Sequence, residues 1–144
     1  MRNMATMKLI LCGFAATLMF VQPCLADGDD TPLGKQMEAM NDAYKAMRRE
    51  TDPAKGAALA REAQDAIVKG IVELPALVKD MPDGPEKAKA SAEYRKMMGS
   101  LISTLADLEL AFLSNDTAKV KEIVEAMRDM KKTGHDKFME EEDE

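Results

Sequence analysis

Residues 94–112 read YRKMMGSLISTLADLELAF, and their spacing decides the fold. Tyr94, Met98, Leu101, Leu105, Leu108 and Phe112 step by four, three, four, three and four. This seven-residue rhythm lays one apolar seam along a helix, the pattern of a helix that faces others in a bundle. The helix starts at Pro85, just after Asp83-Gly84, and ends near Ser114, where Asn115-Asp116 turns the chain.

Three more helical stretches flank it. Thr31 can cap and Pro32 suits a first turn, so a first helix is predicted from about Thr31 to Glu50. Leu33, Met37, Met40, Tyr44 and Met47 recur along it at spacings of three and four. Asp52-Pro53 repeats the start signal for a second helix that runs to about Leu74. Its apolar face is Leu59, Ala63, Ala66, Ile67, Gly70, Ile71 and Leu74. Pro75 ends or kinks it. Pro75 to Gly84 reads as the longest irregular connection, with Leu77 and Val78 tucked against the bundle. The last helix runs to about Met139, with Val120, Val124, Met127, Lys131, His135 and Phe138 in phase. No strand pattern competes. Short turns force neighbouring helices to be antiparallel, so the expected fold is all-α, an antiparallel up-down-up-down four-helix bundle.

The ends read differently. Arg2 and Lys8 precede the apolar run Leu9 to Val21, and Cys24-Leu25-Ala26 offers a small residue for cleavage. Residues 1–26 thus have the layout of a cleaved signal peptide, with an apolar core too short for a stable anchor. Lipid attachment at Cys24 is the alternative, but Val21-Gln22-Pro23 lacks the small residues wanted before such a cysteine. Residues 27–139 form the expected bundle, and 140–144 an acidic tail. The expected location is the periplasm, with no membrane anchoring. Both cysteines, Cys12 and Cys24, fall in the leader, so the mature domain holds together without a disulfide. Of 20 basic and 26 acidic residues, the mature part keeps 18 and 26, a net charge of −8. That excludes nucleic acid and anionic membrane as natural partners and suits a basic or neutral protein partner. A monomer is expected.

The chemistry-bearing residues are few. His135 is the single histidine. It lies near the end of the last helix, while Met37 and Met40 lie a similar distance into the first. In an up-down-up-down bundle these places are neighbours, each about 6–8 Å from the same end. Imidazole nitrogen facing thioether sulfur across an apolar slot is a way to hold haem iron from both sides. Packed helices leave too little room for a porphyrin, so the bundle is expected to splay there, helped by Gly70 and Gly134. Lys131 or Lys132 can pair with the propionates. Lys131-Lys132-Thr133-Gly134 precedes His135 in place of a Cys-x-x-Cys, so the cofactor would be non-covalent haem b, one per chain. The sequence holds no zinc-type His/Cys cluster, no glycine-rich phosphate loop and no Ser/His/Asp set.

Leu33-Gly34-Lys35-Gln36-Met37-Glu38-Ala39-Met40-Asn41-Asp42 resembles the first-helix segment of the cytochrome b562 family. That family is known for this bundle topology. The resemblance continues through Pro75, Asp83-Gly84-Pro85-Glu86 and Ala118-Lys119-Val120-Lys121-Glu122 to His135-Asp136-Lys137-Phe138. It implies iron ligands at Met37 and His135, and haem contacts at Tyr94 and Met98. Position 98 is methionine where the family pattern leads one to expect an aromatic. Met40 offers iron a second sulfur. Basic residues near the propionates are matched by lysines alone, and Met139 replaces one of them. The implied function is electron transfer with an unknown redox partner, not catalysis.

Two other readings fit the residues. Met37-x-x-Met40 and Met127-x-x-Met130 place thioethers that suit soft Cu(I). A cofactor-free helical adaptor or stress protein fits the charge and alanine content as well.

Overall fold

The structure is a computed structural model that describes residues 30–139. The signal peptide read at 1–26 and the acidic tail at 140–144 lie outside the described residues. Within them every regular element is a helix: α1 (Pro32–Met47), α2 (Pro53–Gly70), α3 (Ala76–Lys79), α4 (Pro85–Leu113) and α5 (Thr117–Phe138). The all-α class is as expected. None of these helices is long and apolar enough to cross a membrane.

The starts follow from local chemistry. Thr31 Oγ1 accepts from the Gly34 amide at 2.9 Å, and Pro32 fills a position whose N–H has no helical acceptor. Asp52 accepts from the amides of Ala54 and Lys55, again just before a proline. Asp116 accepts from Lys119 N at the head of α5, after Asn115 turns the chain with a φ of 52°. Asparagine is among the few residues that tolerate that conformation.

The stops differ from the sequence pattern. α1 ends at Met47 rather than Glu50, because the Glu50 carboxylate accepts from the amides of Thr51 and Asp52 and closes a turn there. α2 ends at Gly70, four residues before Leu74. The Gly70 carbonyl accepts instead from Glu73 N at 3.0 Å and from the Tyr94 hydroxyl at 3.1 Å. The connection after it contains the one-turn helix α3. Val78 is buried there, but Leu77 is 37% exposed rather than tucked in.

The long helices pack as a bundle around one apolar core, which contains Tyr44, Met47, Ile67, Leu105, Leu108, Phe112 and Met127. The expected seam of α4 is the buried one, with Tyr94, Met98, Leu105, Leu108 and Phe112 inside and Leu101 half-buried. Cβ-free Gly56 on α2 lets the Phe112 ring lie directly on its backbone. Higher on the same pair, Glu109 binds Arg61 and Gln64. On the other side of α4, Thr104 meets Met130 and Lys137 pairs with Glu93 at 2.7 Å.

The seam between α1 and α5 is different. No Cα of α1 comes within 8 Å of one in α5. Helices in ordinary contact, with axes 8–10 Å apart, bring some Cα atoms closer than this. Side chains alone span the gap. The Tyr44 hydroxyl donates to Val124 O at 3.3 Å, and Lys131 Nζ donates to Asn41 Oδ1 at 2.9 Å.

Candidate functional site

Two bridges across the wide seam set the register of Met37 and His135. On α1, Met37 comes one turn before Asn41. On α5, His135 comes one turn after Lys131. Going back along α1 while going forward along α5, the contacts run Tyr44–Val124, then Asn41–Lys131. One more turn, about 6 Å further along each helix, brings Met37 and His135.

The two flanks of α5 divide the work. Met130 accepts from the Thr104 hydroxyl of α4 at 3.6 Å. A Cβ on Gly134 would lie 3.0 Å from the Met97 methyl, also of α4. Val124 and Lys131 face α1 instead. At about 100° per residue, His135 lies about 40° further round from Lys131, on the α1 flank. His135 and Lys131 are both exposed, although they are in phase with the buried residues of α5. That buried stripe is Ile123, Val124, Met127 and Phe138; His135 lies just past its Val124 edge, and Lys131, in phase with it, carries its long side chain out to Asn41. No hydrogen bond or ion pair among the described residues engages the His135 imidazole.

Met37 is half-buried and points over Gly70. A Cβ on Gly70 would meet the Met37 methyl at 3.0 Å, and Leu33 and the Met98 methyl each at 3.4 Å. The seam stands open as expected, but the two glycines do not supply the opening. Methionine methyls fill the space that both glycines leave. Tyr94 and Met98 are 3% and 2% exposed. The Tyr94 ring meets Phe138 edge-on, with centroids 5.5 Å apart and planes at 78°. Burial, and then the charge of Glu73, pushes the Tyr94 phenol up to about 12. The structure thus brings Met37, Tyr94 and Met98 together around Gly70, and joins Lys131 to Asn41. It leaves His135 on the outer flank of the α1–α5 seam. Met40 is half-buried and is not among the atoms over Gly70.

Sequence reading missed Asn41 as the partner of Lys131, and, although the resemblance put Met37 and Met98 about one haem, it missed their meeting over Gly70. The first had a signal, since Asn41 lies one turn from Met37 on the same flank of α1. The second had none, because it depends on how α2 presents Gly70.

The donor set fits iron in a porphyrin. One thioether and one unengaged imidazole flank a seam that is wider than ordinary helix packing, with apolar Leu33, Tyr94, Met98 and Phe138 at the same end. Among the described residues no group of three or more His, Cys, Asp and Glu could hold a metal ion. A groove between α4 and α5, lined by residues that include Glu93, Met97, Thr133 and Lys137, lies on the other flank of α5 and does not involve Met37. In comparisons with known proteins, residues 32–139 match the family described as Cytochrome b562. No curated protein and no solved structure matches the chain.

Proposed function

The chain belongs to the cytochrome b562 family of haem-binding electron carriers, and from that premise we propose that it is a periplasmic b-type cytochrome holding one non-covalent haem between Met37 and His135. The proposal includes the antiparallel up-down-up-down topology. The paired contacts Tyr44–Val124 and Asn41–Lys131 support it, as do Gly56–Phe112 and Gly70–Tyr94 on the α2–α4 side. In each set one index rises as the other falls. The observation that carries the ligand assignment is the α1–α5 seam, with Met37 and His135 each one turn beyond its last bridge.

Bound haem supplies a one-electron couple between ferric and ferrous iron. The residues do the rest. The His135 imidazole and the Met37 thioether would be the two protein donors to the iron, and a centre held by two side chains suits electron transfer over catalysis. The neutral, soft thioether favours the reduced state relative to a second imidazole. Leu33, Tyr94 and Met98 exclude water from the inner edge. Lys131, which donates to Asn41 here, would supply the cation for a propionate. The surplus of carboxylates suits a redox partner with a neutral or basic docking face. The leader read in the sequence supports export, and the cysteine-free mature chain suits an oxidising compartment.

The test is a visible spectrum of the purified protein, or of haem-free protein mixed with haemin, with and without dithionite. Low-spin b-type bands are expected that His135→Ala abolishes. Bands unchanged by that substitution would overturn the assignment.

A further inference from the structure

We propose that Met98 is a second thioether ligand of this site, able to take the axial place of Met37. The inference rests on the haem reading above. Its observation is the meeting of two methionine methyls from different helices over Gly70, at 3.0 Å and 3.4 Å from one common point. No Cα of α1 lies within 8 Å of one in α4, so this meeting is made by side chains alone. It exists because Gly70 offers no Cβ to keep them apart.

Each sulfur is one bond from its methyl, so the two thioethers occupy the same corner of the bundle. Methionine is unbranched with three rotatable bonds, and its sulfur can be re-aimed without moving the backbone. Met98 is anchored on the inner face of α4, one turn after Tyr94. The Tyr94 phenol donates to the Gly70 carbonyl, and its ring is held by Phe138. Tyr94 is therefore fixed, and Met98 is the soft donor that α4 offers beside Gly70, since Met97 lies against Gly134. Met40 is the less suitable second sulfur. It lies about 60° round α1 from Met37 and is not among the three atoms nearest the space over Gly70. The exchange swaps one neutral thioether for another at the same iron. No bond within the protein breaks, no proton moves and the oxidation state is unchanged.

The experiment compares the haem-loaded full chain with Met37→Leu, Met98→Leu and the double variant. Leucine keeps the apolar volume and cannot ligate. Two readouts are used. The visible spectrum reports spin state. Carbon-13 methyl spectra of the ferrous, methionine-labelled protein report the ligand, because a coordinated thioether methyl is moved far upfield by the porphyrin ring current. Met37→Leu is expected to remain low-spin with one upfield methyl that disappears in the double variant. Met98→Leu alone is expected to keep the Met37 signal. A high-spin Met37→Leu protein with no upfield methyl overturns the inference, and so does an upfield methyl that survives in the double variant. A wild-type protein with no low-spin, His135-dependent spectrum is a separate result, and it removes the haem reading itself.

Discussion

The Tyr94 hydroxyl donates to the carbonyl oxygen of Gly70 at 3.1 Å, and this bond helps to set where α2 stops. A residue on α4 thereby claims the acceptor that a longer α2 would have given to Leu74. The same bond ties the end of α2 to the helix whose inner face carries Met98.

Tyr94 also predicts alkaline behaviour. Its folded-state value, about 12, lies above the ordinary 10. A raised value contributes stability fully below pH 10, and that contribution is lost as pH climbs from 10 towards 12. Melting temperatures of the haem-free protein are expected to fall through this window. Tyr94→Phe should flatten the fall while costing about 1 kcal/mol near neutrality, the net worth of a typical hydrogen bond. An equally steep alkaline fall in that variant would show that another group is responsible.

Glu109 predicts the acid limb. The hydrogen bond from Arg61, then that from Gln64, holds its carboxyl below the usual value of 4.5. A depressed value adds stability above pH 4.5 that is lost as pH falls below it. Glu109→Gln should be less stable than the parent at neutral pH, and the two should converge in acid. Urea midpoints at several pH values measure this, and a constant difference across the range would refute it.

Gly56 is expected to resist substitution. A methyl there would run into the Phe112 ring, which lies on the α2 backbone. Alanine gains about 1 kcal/mol in helix propensity over glycine, but overpacking a core costs about 1–3 kcal/mol. The ring is rigid and buried, so we expect Gly56→Ala to lower stability, and Gly56→Ala with Phe112→Leu to recover part of it. Thermal melts of the single and double variants decide the matter.

The Asn41–Lys131 bond closes the α1–α5 seam next to the proposed ligands. Asn41→Ala removes the acceptor and leaves the Lys131 cation free for a propionate. Stability should change by no more than about 1 kcal/mol, because the bond is exposed. Haemin uptake followed by stopped-flow absorbance should become faster. Slower uptake would mean that the bond shapes the site instead of obstructing it.

Much of this was legible in one dimension. The four-and-three steps of residues 94–112 named the buried face of α4, and Thr31-Pro32 and Asp52-Pro53 marked two helix starts. Local hydrogen bonds and side-chain period decide such features. The end of α2 was not legible, because Leu74 continues the apolar pattern and only a distant phenol interrupts it. Lys131 and His135 are in phase with the buried residues of α5, yet a stripe has edges. Their exposure depends on how far apart α1 and α5 stand. The meeting of Met37 and Met98 depends on three helices at once, and no spacing along the chain encodes it.

The first and last long helices meet only where a side chain of one reaches across to the other. Such a seam can breathe while the backbone packing of α1 on α2 and of α5 on α4 stays intact. Amide hydrogens near the start of α1 and the end of α5 should therefore exchange with solvent through small, frequent openings, and those of α4 only on global unfolding. A flat, greasy ring arriving from outside would then need no unfolded protein to receive it. It could slip between the two covers and act as the clasp that shuts them.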